Sequence, residues 1–305
     1  MTTYRQAKIR QPLEIRARVL RSVRDFFGEE GYLEVETPVR IPAPAPEEHV
    51  DAPESGAWFL HTSPELCMKR LLAAGFEKIY QICPCFRSGE RGHRHLPEMA
   101  LLEWYTAHAD YRDMMAQCER LIPYILKSLG RKKLQYRDSV IDLSVPWERL
   151  TLADAFERYG SLSLGRALES GRFDEILGLE IEPALGKLRP VFLYDYPVAC
   201  GALARRKAQA PETVERFELY ICGLELCNAF SELCDPVEQQ ARFEKALAQR
   251  AAAGKRCYPL PANFLTTLKD MPPAAGNALG IDRLVMLVAN CVKIDDVVAF
   301  IPEEL

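Results

Sequence analysis

Three stretches of this chain gather residues able to handle an anionic ligand beside a cationic one. The first runs from Gln81 to Tyr105: Phe86-Arg87 closes an apolar run, and a polar loop carries Glu90, Arg91, His93, Arg94 and His95. Glu103 and Tyr105 lie in the run that follows. At strand periodicity Glu103 and Tyr105 share one face, and Leu102 and Trp104 take the other. An arginine at a strand end suits a phosphate or carboxylate, which its fork binds bidentately, although a solvated surface hairpin has the same composition. In the second stretch, Glu225 to Glu232, the residues Asn228, Phe230 and Glu232 share a strand face, with Glu218 one strand earlier. Buried carboxylates need a cation or a donor, so converging acids suggest Mg2+ for some and a ligand ammonium for others; cross-strand arginine pairs are the alternative. Glu225 has the opposite parity, so for it to join the other acids on that face a bulge or turn is predicted between Glu225 and Asn228. The third stretch is Gly276 to Leu284, whose glycines allow a flat ligand close to the backbone, with Arg283 just inside a helix start.

The elements that must position these residues follow from periodicity. Pro12 to Glu30 reads as a helix with Val19, Leu20, Val23, Phe26 and Phe27 on its apolar stripe, followed by a strand from Tyr32 to Pro38. Prolines 42, 44, 46 and 53 make Ile41 to Pro53 a loop. Ser63-Pro64-Glu65 opens a helix whose apolar side is Leu71, Leu72 and Phe76. Strands are expected at Lys78–Phe86, Met99–Thr106, Val191–Pro197, Val214–Cys222 and Glu225–Leu233, the last two forming a hairpin around Cys222-Gly223. Helices are expected at Tyr111–Leu129, from Thr151, at Pro236–Ala253 and from Ile281, with a helical insertion over about 150–190. This order describes an α+β chain with a mostly antiparallel sheet flanked by helices.

Composition sets outer bounds. The 305 residues are 48% hydrophobic and 27% charged, and the net charge of −4 makes the whole molecule no attractor of nucleic acid. The basic clusters Arg131-Lys132-Lys133 and Arg205-Arg206-Lys207 are expected to be solvated faces. The polar stretch Met1 to Arg10 carries no signal peptide, and Leu284 to Ala289 is too short to span a bilayer, which predicts a cytoplasmic protein. The ten cysteines then imply reduced thiols; Cys83-Pro84-Cys85 and Cys222, Cys227 and Cys234 match no metal spacing, so buried free cysteine is expected.

Taken together and in this order, the motifs resemble the class II aminoacyl-tRNA synthetases, specifically the lysyl branch, over roughly residues 12 to 300. Pro38 resembles motif 1, Phe86-Arg87 through Glu103-Trp104-Tyr105 motif 2, and Gly280-Ile281-Asp282-Arg283-Leu284 motif 3. Ser63-Pro64-Glu65-Leu66 and Gly223 to Glu232 resemble lysine-specific signatures. Within that branch the chain is most similar to the lysyltransferases that modify elongation factor P. It carries their tryptophan at Trp104 and has Ala278 where lysyl synthetases have glycine, and it is expected to begin at the catalytic domain without an anticodon-binding OB-fold. A single class II catalytic domain over 1–305 is therefore expected.

The resemblance implies ATP and Mg2+, activation of lysine or (R)-β-lysine as an adenylate, and elongation factor P as acceptor rather than tRNA. It also implies a homodimer. Arg87 would clamp the substrate carboxylate and the α-phosphate, and Glu65 the α-amino group. Glu103, Glu232 and Tyr105 would hold the ε-ammonium, with Asn228, Phe230 and Ala278 lining the pocket. Glu218 and Glu225 would bind Mg2+, while His95, Met99, Gly280 and Arg283 would contact ATP. Met99 replaces the family's adenine-stacking phenylalanine and Gly89 an acid of the nucleotide loop, so a weaker hold on ATP is expected, while Ala229 replaces a glycine and is expected to narrow the pocket slightly. The alternatives are a paralogue acylating tRNA and a catalytically weak regulatory protein.

Overall fold

The computed structural model describes residues 4–201 and 203–305, so Met1 to Thr3 of the polar N-terminal stretch lie outside it. Helices α1 (Arg5–Lys8) and α2 (Arg10–Glu29) lead into β1 (Leu33–Glu34). A small sheet of β2 (Arg40–Ile41), β3 (Glu54–Ser55) and β4 (Trp58–Leu60) precedes α3 (Glu65–Ala73), β5 (Lys78–Phe86), β6 (Glu98–Ala107) and α4 (Tyr111–Ser128). The hairpin β7 (Leu134–Tyr136) and β8 (Ser139–Ile141) follows, then β9 (Glu148–Thr151). Next come the short helices α5 (Leu152–Tyr159), α6 (Leu164–Glu169) and α7 (Phe173–Ile176), ending in a wide turn and a 3-10 turn through Ala184. Strands β10 (Val191–Pro197), β11 (Arg206–Lys207), β12 (Ala210–Ile221) and β13 (Leu224–Ser231) precede α8 (Pro236–Ala252) and α9 (Ala262–Thr267). The chain closes with β14 (Ala274–Gly280) and α10 (Ile281–Ala289).

Nine strands form the main sheet, in the order β1-β5-β6-β14-β13-β12-β10-β9 with β11 beside β12. Only the outermost pairs, β1 with β5 and β10 with β9, are parallel, so the α+β, mostly antiparallel architecture expected from the sequence is the one found. Helices α2, α4 and α10 cover one face. Val19, Val23 and Phe27 of α2, Leu121 and Ile122 of α4, and Leu284 and Leu287 of α10 are fully buried against Leu102 and Trp104 of β6. The indole N–H of Trp104 donates to Gln117 Oε1 at 2.8 Å, which satisfies the polar atom that this burial would otherwise strand. Asp282 ties three elements together: its Oδ1 takes Arg16 Nη1 at 2.5 Å and its Oδ2 takes the Ala100 N–H at 2.9 Å.

Several expectations need correction. The strand expected over Tyr32–Pro38 shortens to Leu33–Glu34, because β1 lies at the sheet edge and Pro38 cannot donate to a ladder. In α3 the buried side is Leu66, Met68 and Leu72, while Phe76 lies beyond the helix and is exposed. The cluster at 205–207 is ion-paired rather than freely solvated: Arg205 with Glu215, Arg206 with Glu238, and Lys207 with Asp195. The short strands β2–β4 and β7–β9 were not expected, being only two to four residues long, too short for an alternating pattern.

Candidate functional site

The face of the sheet opposite the helix layer carries the candidate residues in two cross-strand rows. Glu218, Asn228, Ala278, Glu103 and Gln81 are successive partners across β12, β13, β14, β6 and β5; Arg216, Phe230, Gly276, Tyr105 and Ile79 form the next row. Glu232 follows the end of β13 on the same side. Parity reasoning paired Glu103 with Tyr105 and grouped Asn228 with Phe230, each within its own strand, and the register joins the two groups on one face built from five separate strands.

Glu103 forms the floor. It is 1% exposed, accepts Ser63 Oγ–H at 2.6 Å and Tyr105 O–H at 2.9 Å, and faces no cation. Burial first, then the negative charge of Glu65, pushes its carboxyl up to about 8. Glu232 is fully buried, and burial pushes it to about 8 as well, against the pull of Lys69. Lys69 Nζ lies 2.5 Å from Glu232 Oε2, is also bonded to Glu65, and sits 5.0 Å from the Phe230 ring centre. Burial works against its charge, but the two acids outweigh that and hold its ammonium above the usual range. Glu232 Oε1 has no hydrogen-bond partner. A Cβ at Gly276 would come within 2.3 Å of the Tyr105 ring and 2.6 Å of Glu232 Oε1, so only glycine leaves the floor open.

Above the floor stand Arg87 and Arg216. The Arg87 Nε is buried with no partner, and its Nη1 reaches Glu90 only at 3.7 Å, so the fork is available to a ligand. Arg216 is committed to the protein: Nε donates to Asn228 Oδ1 at 3.0 Å and Nη2 to Glu218 Oε1 at 2.6 Å, over the Tyr196 ring. Together with Ser63, Glu65 and Ala278 these residues line a cavity of about 150 Å³. It adjoins a larger one of about 990 Å³, and Glu47, Cys200 and Arg216 line both. The loop bearing Glu47 is held by the fully buried Arg250, which donates to the carbonyls of Glu47 and Val50 at 2.7 and 3.0 Å and to Asp51 at 2.6 Å.

Beyond Asn228 the predicted irregularity is present. Leu219 pairs with Cys227 and Tyr220 with Glu225, so Leu226 is the extra residue and Glu225 joins Glu218 on the site face. Glu218 accepts from Tyr196 O–H at 2.6 Å, Tyr220 O–H at 2.7 Å and Arg216; burial raises its pKa, with Arg216 opposing. Burial also opposes ionisation of Glu225, but Arg283, donating at 3.0 Å, outweighs it and holds Glu225 below the usual range. Glu182, from the insertion, is pushed to about 7 by burial and by the charges of Glu225 and Glu218. Arg283 Nη2 donates to His95 Nε2 at 2.6 Å; burial, then Arg283, lowers the imidazole's pKa. Gly280 precedes α10 opposite Leu101, and Met99 is half-buried on β6 opposite Cys85.

Lys69, Arg216, Glu182 and Glu47 were not singled out from the sequence, and Ser63 only as a helix start and as part of a signature, without its bond to Glu103. Lys69 had a usable signal, since Glu65 and Lys69 are an i,i+4 pair on α3. Arg216 shares the parity of Glu218 two residues on. Glu182 and Glu47 reach the site from irregular segments, where no period applies.

A polar face of this geometry on a sheet of this order defines a class: the chain belongs to the class II tRNA synthetases (D, K and N), whose family description matches residues 1–304. Among individual relatives it is 38% identical to the lysine–tRNA ligase of Pelotomaculum thermopropionicum, covering 96% of this chain and 63% of that protein. It is likewise 38% identical to the lysine–tRNA ligase of Moorella thermoacetica (96% and 65%) and 35% identical to that of Nostoc sp. (96% and 57%). The chain therefore spans less than two thirds of the length of these curated relatives. Among the described residues, no helix is long and apolar enough to cross a membrane.

Proposed function

We propose that this chain activates lysine or (R)-β-lysine with ATP, forming an aminoacyl-adenylate, and transfers the aminoacyl group to a lysine side chain of elongation factor P. The observation that carries the first half is the floor of Glu103, Tyr105 and Glu232 around Gly276, beneath Arg87, whose buried Nε has no partner. Glu65, Glu103 and Glu232 are three carboxylates against the single ammonium of Lys69. That surplus suits a ligand with two ammonium groups, and Arg87 suits its carboxylate.

The attacking carboxylate is already ionised, so no general base is needed. Arg87 orients it and, with Arg283, neutralises charge developing at the α-phosphorus as oxygen bonds to phosphorus and pyrophosphate leaves. Glu218 and Glu225, with Glu182 beside them, are the hard oxygen donors that would hold Mg2+; Glu182 is raised by burial first and then by the charges of Glu225 and Glu218, and three acids so crowded fit a divalent cation. Mg2+ supplies charge neutralisation on the polyphosphate. His95, bonded to Arg283, would contact the nucleotide together with Met99 and Gly280.

The choice of elongation factor P rests on Trp104 and Ala278, the latter lining the pocket opposite Glu103. The lysine–tRNA ligase relatives favour a second reading, transfer to tRNA. Exchange of pyrophosphate into ATP with L-lysine, (R)-β-lysine or no amino acid tests activation. No amino-acid-dependent exchange would overturn it. Transfer of labelled lysine to protein or to tRNA then decides the acceptor.

A further inference from the structure

His61, Cys83 and Cys85 converge, with one donor atom from each lying within 4.8 Å of the others. His61 follows β4 and is pinned on both sides: its N–H donates to the Val39 carbonyl at 2.8 Å, and its carbonyl accepts from the Phe86 N–H at 3.0 Å. The two cysteines alternate along β5 and so share the face that carries Gln81 and Glu103. Their sulfurs are 3.8 Å apart, and Cys85 Sγ is 3.8 Å from His61 Nε2. All three are buried, at 1%, 6% and 0% exposure. The sulfur separation is far beyond the ~2.05 Å of a disulfide. It equals the ~3.8 Å that separates two thiolates bound at ~2.3 Å to a shared tetrahedral ion. None of these three side chains serves the ligand cavity described above.

We propose that His61, Cys83 and Cys85 form a binding site for a thiophilic d10 ion, Zn2+ or Cu(I), set into the sheet behind Leu101. Two sulfurs and an imidazole nitrogen are the donors such ions select over hard cations. Cys83 is already predisposed: the hydrogen bond from Cys85 pulls its thiol down to about 6, against burial and with help from His61, while Cys85 is pushed up as the proton-bearing partner. On binding, the remaining thiol protons leave to solvent. Before binding, the imidazole donates its Nε2 proton to the Pro84 carbonyl at 2.8 Å, so ligation through Nε2 moves that proton to Nδ1 and gives up this hydrogen bond. No oxidant or reductant is involved. Leu101 packs on both cysteines and also lines the ligand cavity, and Cys85 precedes Arg87 by two residues, so a bound ion would stiffen the strand end that presents Arg87. The site stands independently of the ligase reading.

The test uses the full chain, reduced and stripped with chelator, then loaded anaerobically with Zn2+, with Co2+ as a spectroscopic stand-in, or with Cu(I). Elemental analysis after gel filtration and X-ray absorption on the unmodified protein are the readouts. One ion per chain with two sulfurs and a nitrogen in its shell is expected. Cys83→Ser and Cys85→Ser should each weaken retention by ~100-fold, and Cys257→Ser, which alters an exposed thiol, should leave it unchanged. Retention of Zn2+ alone, or of Cu(I) alone, supports the site and identifies its ion. No retention of either ion, or a sulfur count other than two, overturns it; the absorption result decides even if the serine variants misfold.

Discussion

The pH dependence of lysine binding follows from Glu103. Its carboxyl titrates near 8 in the empty pocket, so at neutral pH it is mostly protonated, whereas a bound ammonium requires it ionised. Linkage makes the apparent affinity fall by the factor 1 + 10^(8 − pH), which is about 100 at pH 6, about 11 at pH 7 and about 2 at pH 8. Affinity for L-lysine should therefore rise about 50-fold from pH 6 to pH 8, in the direction opposite to any loss of ligand charge. Glu232, also raised to about 8, adds a second proton to the extent that Lys69 leaves it protonated, so the slope lies between one and two. Equilibrium titration calorimetry in buffers of different ionisation enthalpy measures both the affinity and the protons released. Stability carries the opposite sign. A folded-state pKa raised above the unfolded value means that stability present below pH 4.5 is lost as pH climbs through 8, on the order of 3–5 kcal/mol. Glu103→Gln should bind lysine weakly with a slope smaller by one proton than the parent's, leaving only what Glu232 contributes, yet melt higher than the parent at pH 8 and no higher at pH 4.5. A flat profile in the parent chain, or a Gln variant that retains the slope, would refute this account of the floor.

Gly276→Ala places a methyl group 2.3 Å from the Tyr105 ring, so the ring must swing away from Glu103. Overpacking of about 1–3 kcal/mol should appear as a lower Tm and a 10- to 100-fold rise in the KM for lysine, read by pyrophosphate exchange. Lys69→Met leaves Glu65 and the buried Glu232 without their cation and should cost about 3–5 kcal/mol by urea denaturation at pH 8, with partial recovery at pH 5 as Glu232 protonates. Arg283→Lys keeps the charge but cannot span the Glu225 carbonyl, the Glu225 carboxylate and His95 together; the KM for ATP should rise at least tenfold while the Tm changes little.

Much of the fold was legible because its central strands are long and its helices amphipathic. Val191–Pro197 emerged with the predicted limits, and β6 runs only one residue further than expected at each end. The illegible parts are those whose order comes from contacts distant in sequence. The loop around Glu47 is shaped by Arg250, about two hundred residues on, and no local pattern announces that. For the candidate site, parity identified which residues share a face, but not which acids already have cations. Glu218 and Glu225 turn out to be engaged by Arg216 and Arg283, and Glu232 by Lys69, whereas Glu103 is not. Distinguishing these cases requires the register between strands, which a single strand's sequence does not contain.

The bulge at Leu226 divides β13 into two halves that are out of phase. On one side lies the acid that faces Arg283; on the other lie the side chains of the amino-acid cavity. A regular ladder that kept Leu226 would set Glu225 on the side of Cys227, in the layer of α2, α4 and α10; by absorbing this one extra residue the bulge keeps Glu225 on the site face. It also partly insulates those ends from each other. Changes that reshape the cavity near Asn228 and Phe230 need not displace Glu225, so this strand can acquire a new amino-acid preference while its nucleotide side stays as it is.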